Sequence, residues 1–196
     1  MSREKKVIGV GGGIGAGKTT VSKVFTDCGA RYISADEIGW DVLDDIKEEL
    51  MQEFGNEIMQ HNDIDREKLR TCVFADIQHL QRLNALSHPL LKERLLQRID
   101  AVTQGMVVVD AALLFEWPEI LRRIDFPILV TADDIHKEHR ARNKGIDEVT
   151  FRRIRHMQKP DEDIIPHARY VITNNGTLED LRIQCRTIYE EIADDC

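Results

Sequence analysis

A run of glycines near the amino terminus restricts this chain more than any other feature. Six of the eleven residues from Val7 to Gly17 in "VIGVGGGIGAGKTT" are glycine. The run follows a short β-branched stretch, Val7–Val10, and precedes a segment in which Val21, Val24 and Phe25 share one helical face. Bare backbone between a strand and a helix lets successive N–H groups converge on an anion without Cβ clashes, and the helix start adds partial positive charge. Three patterns fit the run. Gly12, Gly17, Lys18 and Thr19 satisfy the phosphate loop G-x-x-x-x-G-K-[ST], whereas Gly11, Gly13 and Ala16, with Asp36 twenty positions on, satisfy a dinucleotide fingerprint. The third is a turn without a ligand.

The dinucleotide pattern leaves Lys18-Thr19 without a task and puts a lysine where pyrophosphate would lie against backbone. A ligand-free turn has no need of so many residues lacking Cβ. The phosphate loop accounts for every fixed position. In it Gly12, Gly13, Ile14, Gly15, Ala16 and Gly17 wrap the phosphates of a nucleotide, Lys18 reaches the β- and γ-phosphates, the Thr19 hydroxyl ligates Mg²⁺, and Thr20 continues the first helical turn.

The remainder of the chain reads as α/β. Arg31–Ile33 is a second short strand, ending at Ser34–Asp36, and Gly29 stops the helix before it. Apolar spacing predicts one helix over Ile38–Phe54, and helical pattern between Asp65 and Val102 broken at His88-Pro89. Met106–Val109, Phe126–Val130 and Tyr170–Thr173 read as further strands, and Leu178, Leu181, Cys185, Ile188 and Ile192 form the stripe of a last helix. Strands alternating with helices predict a parallel sheet with covered faces and a ligand at the strands' carboxyl ends. With 196 residues the chain is expected to be a single domain with room for a subdomain.

Charge and composition narrow the partners. A formal net charge of −8 argues against broad binding to nucleic acid or an anionic membrane. There is no apolar run long enough to span a bilayer and no signal-peptide core, so the cytoplasm is the expected compartment. Cys28, Cys72, Cys185 and Cys196 are widely spaced and show no zinc or C-x-x-C pattern, which predicts reduced thiols. One segment opposes the average: residues 137–159 hold eight Lys/Arg against three Asp/Glu. A cationic patch on an acidic chain points to a small anionic ligand.

Several residues stand where phosphoryl transfer needs them. Asp110 closes the Met106–Val109 strand, where a carboxylate would hold Mg²⁺ through water. Asp36, at a strand end, is either a helix N-cap or a group beside the acceptor hydroxyl. Arg140, Arg142, Arg152, Arg153 and Arg155 are either a solvated helix face or cations for the charge spreading over the γ-phosphate. Asp36–Gly39 and Asn143–Asp147 imitate guanine-nucleotide motifs, but the second has its aspartate one residue too far along, so the match is coincidental.

With the phosphate loop, the blocks "SADEI", "FGNEI", "IDREKLRTCVF", "LNALSHPLL", "VVVDAALLFE" and "RYVITNNGTLEDL" follow in order from Val7 to about Leu181. This combination resembles the dephospho-coenzyme A kinase family. The resemblance implies MgATP-dependent phosphorylation of the 3′-hydroxyl of dephospho-coenzyme A on a three-layer α/β/α fold with a five-stranded parallel sheet. The implied parts are a core (5–36, 105–134, 168–196), a helical acceptor-binding subdomain (about 37–104) and a basic lid (about 135–167). Asp36 matches the family's proposed base, with Ser34 where the family has another aspartate. Arg142 aligns with a lid arginine, and Arg140 stands two residues from Glu138, where the family has its preceding one. His88, Leu113 and Glu116 fall in the acceptor region, with Trp117 beside them, and Ala112 replaces a family proline. Asn174 and Asn175 match the pair near the adenine. The implied partners are ATP and dephospho-coenzyme A, with no nucleic acid or membrane, and the chain as a monomer or weak homo-oligomer. Two alternatives stay open: another small-molecule kinase of the same fold, and a regulatory module that holds ATP without transferring it.

Overall fold

The computed structural model describes residues 5–61 and 63–195; Cys196 and the first four residues lie outside the described part. The chain divides into two compact units, one of residues 1–34 and 98–196 and the other of residues 35–97.

The first unit is built on a five-stranded sheet of β1 (Lys6–Gly11), β2 (Arg31–Ser34), β5 (Met106–Asp110), β6 (Phe126–Thr131) and β7 (Tyr170–Thr173) in the order β2-β5-β1-β6-β7. Every pairing is parallel. β1 is the centre, and its apolar residues alternate between two faces as a period of two dictates. Ile8 and Val10 join Val21, Val24 and Phe25 of α1 (Lys18–Asp27) and Leu181, Cys185 and Ile192 of α10 (Leu178–Asp194) in one core. Gly9 faces the other way, against Ile124 and Leu114. Each fully buried aliphatic or aromatic side chain here contributes about 1.5–3 kcal/mol. Asp125 fixes the start of β1 by accepting a hydrogen bond from Val7 N at 2.7 Å.

The helices start and stop for local reasons. α1 ends at Asp27, and Gly29 turns the chain at φ 111°. α10 begins with a capping box in which Thr177 and Asp180 satisfy one another's backbone N–H groups. Its stripe is buried at Leu181, Cys185 and Ile192, but Leu178, in the first turn, is 50% exposed. α7 (Asp134–Arg142), α8 (Glu148–Met157) and the single turn α9 (Asp161–Ile164) lie between β6 and β7 in sequence, and Pro118–Leu121 forms the short α6.

The second unit differs from the sequence pattern in three ways. Residues expected to form one helix make two, α2 (Ala35–Asp45) and α3 (Lys47–Phe54), because Ile46 leaves the helical range at φ −99°, ψ 24°. β3 (Met59–Gln60) and β4 (Asp63–Ile64) then pair antiparallel. The helical stretch breaks at Asp76 rather than at His88-Pro89, giving α4 (Arg66–Ala75) and α5 (Ile77–Asp100). Asp76 is extended, and its carboxylate accepts from Gln78 N at 2.9 Å, so it starts a helix by capping it. Pro89 sits inside α5, where it removes one backbone donor without ending the helix. Leu43, Leu50, Ile58, Leu69 and Val73 form this unit's core.

Candidate active site

The carboxyl ends of β1, β5, β6 and β7 gather the residues that the sequence singles out in the first unit. Immediately after β1 the chain enters the glycine loop, whose shape depends on close approach to its neighbours. Gly12 has φ 143°, and a Cβ there would run into the Val130 carbonyl oxygen. Gly15 has φ 74°, and a Cβ there would strike the Lys137 carbonyl oxygen of α7. Both positions require glycine on two counts, backbone conformation and space. Lys18, the first residue of α1, is half-buried and donates from Nζ to Gly13 O at 3.2 Å. Thr19 and Thr20 follow it, exposed in the first turn.

Two side chains brace the loop from behind. Asn174, 7% exposed at the end of β7, donates from Nδ2 to Ala16 O at 2.8 Å. Arg140 on α7 donates to Asn174 O at 2.7 Å and to Gly15 O at 3.3 Å. Its partial burial lowers its pKa, although a guanidinium remains charged at any relevant pH. Two consecutive loop carbonyls, those of Gly15 and Ala16, thus face the Arg140 guanidinium. Asn175 ties the same corner together, its Oδ1 accepting from Asp133 N at 2.8 Å.

Under this corner lies a buried ion pair that the basic pattern of the segment conceals. Lys137 is 1% exposed, and its Nζ lies 2.7 Å from Asp161 Oδ2. Thr131, at the end of β6, donates its hydroxyl to the same carboxylate. Burial alone would raise the pKa of Asp161, but hydrogen bonds from Lys137 and Thr131, with the charges of Lys137 and Arg155, hold it below the ordinary value. The other basic residues are placed differently. Arg142 is exposed and paired with Glu138 at 2.8 Å, Arg152 pairs with Glu148, and Arg155 reaches Asp134 at 3.4 Å.

Asp110 is 7% exposed at the end of β5, opposite Ser34 of β2, and Tyr32 donates its hydroxyl to Oδ2 at 3.2 Å. Tyr32 precedes Ser34 by two and so shares its face, which lets the long phenol reach diagonally across the strand pair. Thr19 and Asp110 offer a hydroxyl and a carboxylate, a hard oxygen set that suits Mg²⁺. Among the described residues no group of three or more His, Cys, Asp or Glu side chains could hold a metal. Leu113 is half-buried just before the turn that holds Leu114 and Glu116, and Trp117 is buried. Glu116 is exposed as a residue, yet desolvation of its carboxyl raises its pKa, with Lys159 opposing.

Asp36 and His88 belong to the second unit. Asp36 is exposed and lies within the first turn of α2, not at the flanking cap position. His88 is half-buried in α5, and burial, then the charge of Lys92, lowers its pKa.

A parallel sheet whose central strand feeds a G-x-x-x-x-G-K-T loop, with Asp110 ending the neighbouring strand, defines the class of phosphate-loop kinases. A family model for dephospho-CoA kinase matches residues 6–180. The dephospho-CoA kinase of Corynebacterium glutamicum is 33% identical over 196 residues, 94% of this chain and 98% of that one. That of Aquifex aeolicus is 32% identical over 97% of this chain and 99% of its own. A Thermus thermophilus protein of known crystal structure superposes with a TM-score of 0.77 at 26% identity, over 96% of this chain and 98% of that one. The Campylobacter jejuni dephospho-CoA kinase has a TM-score of 0.64 at 22% identity, over 96% and 97%. Shikimate kinase from Acinetobacter baumannii has a TM-score of 0.56 at 16% identity, over 95% and 92%, a likeness of fold alone. This chain belongs to the dephospho-CoA kinase family, the enzymes of the last step of coenzyme A biosynthesis.

Proposed function

We propose that the chain transfers the γ-phosphoryl group of ATP to the 3′-hydroxyl of dephospho-CoA, giving CoA and ADP. The observation that carries the reading is the glycine loop itself, with carbonyls held from behind by Arg140 and Asn174 and Lys18 at the start of the helix that follows. The loop's N–H groups then seat the β-phosphate, and Lys18 exchanges its contact with Gly13 O for phosphate oxygens. When bound, Mg²⁺ neutralises charge on the β- and γ-oxygens. Thr19 would ligate it directly and Asp110 through water, with Tyr32 fixing the Asp110 carboxylate.

The acceptor oxygen forms a bond to γ-phosphorus as the bond to the β–γ bridging oxygen breaks, and that oxygen leaves on ADP. The hydroxyl proton passes to the Asp36 carboxylate. Because the transition state is loose, orientation of the hydroxyl by Asp36 counts for more than its basicity. Asn174 and Asn175 flank the nucleobase. Arg140 acts by holding the loop, since its guanidinium donates to Gly15 O, Ala16 O and Asn174 O, while Arg142 lies on the solvent side with Glu138 and serves only if it leaves that partner. The residues 37–104 form the acceptor-binding part, with His88 lining its pocket, Leu113 and Glu116 meet the acceptor from the core, and 135–167 serves as a lid. Residues 5–36, 105–134 and 168–196 make the core. The protein acts as a monomer or weak homo-oligomer in the cytoplasm; no described helix is long and apolar enough to cross a membrane.

The test is direct. Incubation with MgATP and a panel of nucleosides, nucleotides and dephospho-CoA, followed by mass spectrometry, should show one added phosphoryl group on dephospho-CoA. Phosphorylation of a different panel member in preference would overturn the substrate assignment.

A further inference from the structure

The phosphate loop of this protein already holds an oxygen. Gln158, the residue after α8, turns its side-chain amide into the loop, where Oε1 accepts a hydrogen bond from Ile14 N at 2.9 Å. A methyl group built on Gly13 would lie 3.1 Å from the same atom. The convergent N–H groups of such a loop are the donors that receive phosphate oxygens, so the amide oxygen occupies ground that a phosphate acceptor would take. The other contacts of this corner are of a different kind. α7 is locked to the loop by Arg140 and by the close approach of Gly15 to the Lys137 carbonyl, contacts made to a loop carbonyl and a glycine Cα and not to a loop N–H.

We propose that Gln158 is a residue of the nucleotide site, its amide oxygen taking the place of a phosphate oxygen at Ile14 N and giving way when the polyphosphate enters. The inference rests on the phosphate-loop reading of Gly12–Thr19 and deepens it. One N–H cannot serve two acceptors at full strength, and a charged phosphate oxygen outcompetes a neutral amide oxygen. The apparent nucleotide affinity is therefore the intrinsic one reduced by the fraction of loops that Gln158 leaves open. A single neutral hydrogen bond holds the closed form by roughly two- to tenfold. Gln158 thus lowers affinity for ATP and ADP by that factor and keeps the loop in its bound shape between turnovers.

The measurement is calorimetric titration of ADP, MgATP and inorganic phosphate into the parent, Gln158→Ala and Gln158→Glu, with melting temperatures of all three. Removal of the competing oxygen in Gln158→Ala should tighten ADP and MgATP by roughly two- to tenfold. Gln158→Glu presents a carboxylate to the same N–H and should weaken them by tenfold or more, order of magnitude, because charged acceptors bind such donors more strongly. A residue that only supports the fold would weaken binding in both variants as stability falls, and that result, or equal affinities across the series, would overturn the proposal. A parent that binds no nucleotide and does not differ from Lys18→Ala would instead defeat the phosphate-loop reading beneath it.

Discussion

Lys137→Met tests how the corner beneath the loop is held. The substitution keeps the length and apolar stem of a side chain that is 1% exposed, and deletes only its charge. Asp161 is then left with the Thr131 hydroxyl and the more distant charge of Arg155, in a site whose burial disfavours its ionised form. Breaking one side of a buried pair costs about 3–5 kcal/mol. The Asp161 side chain keeps 16% of its surface in water, so the lower end, about 3 kcal/mol, applies. With a urea dependence of about 2–3 kcal/mol/M, the unfolding midpoint at pH 7 should fall by about 1 M. The loss also has a pH signature. In the parent, Asp161 has a folded-state pKa below its unfolded value, so it stabilises above the unfolded pKa, near 3.9, and that contribution disappears as pH falls through the folded pKa. In the variant, burial outweighs the remaining partners and the folded pKa rises above the unfolded one, so ionisation at neutral pH destabilises. The gap between the two proteins should therefore be widest at pH 7, begin to close as pH falls through the variant's raised folded pKa, and be smallest below the parent's lowered one. Lys137→Met/Asp161→Leu should recover most of the loss, since a well-packed apolar pair replaces a buried ion pair at little cost. A single variant as stable as the parent at pH 7, or a gap that does not depend on pH, would refute the reasoning.

Other perturbations read the site more directly. Lys18→Ala should abolish phosphoryl transfer with little change in melting temperature, since Lys18 is half-buried at the start of α1 and belongs to neither apolar core; near-normal turnover would remove the loop from the chemistry. Asp36→Asn should leave ATP affinity nearly intact and reduce turnover by roughly 10²-fold, the lower end of general-base contributions; a rate within about threefold of the parent would leave Asp36 without a part in catalysis. Burial pushes the Cys185 thiol up to about 12, so at pH 8 it should resist iodoacetamide in the native protein and react only after unfolding, which peptide mapping will show.

What the sequence discloses about this protein depends on how local the cause is. β1 and β7 are legible within about a residue of their ends, and α1 in its apolar face and its glycine stop, because β-branched runs and glycines act at short range. The phosphate loop is legible because Gly12, Gly17, Lys18 and Thr19 each answer a separate physical demand. The break at Asp76 was hidden because Pro89 is the stronger textual stop signal, while the helix that begins at Ile77 needed only a capping carboxylate. Of eight basic residues in 137–159, no pattern distinguishes Lys137, which is buried, from Arg142, which is solvated. That distinction is made by Asp161 and Thr131, respectively 24 and 6 residues away from Lys137, and only folding brings the three together. Gln158 and Tyr32 were missed for the same reason: a lone glutamine or tyrosine carries no motif, and each matters through one hydrogen bond to a distant partner.

The position of β1 has a consequence for how the protein is made. Of the five strands of the sheet the central one is synthesised before the others, and its partners on either side, β5 and β6, come more than about ninety residues later. At about 5–20 residues per second, β1 waits roughly 5–20 s with both edges unpaired and its apolar run in water. Residues 35–97 are contiguous, and their core can close during that delay, whereas the sheet has to be finished after its last strand, β7, is released. The central strand is thus made before the others, the edge strand β2 follows it, and β5, which joins the two, comes only afterwards, so Ile8 and Val10, fully buried in the finished sheet, are open to a nascent-chain chaperone in the interval.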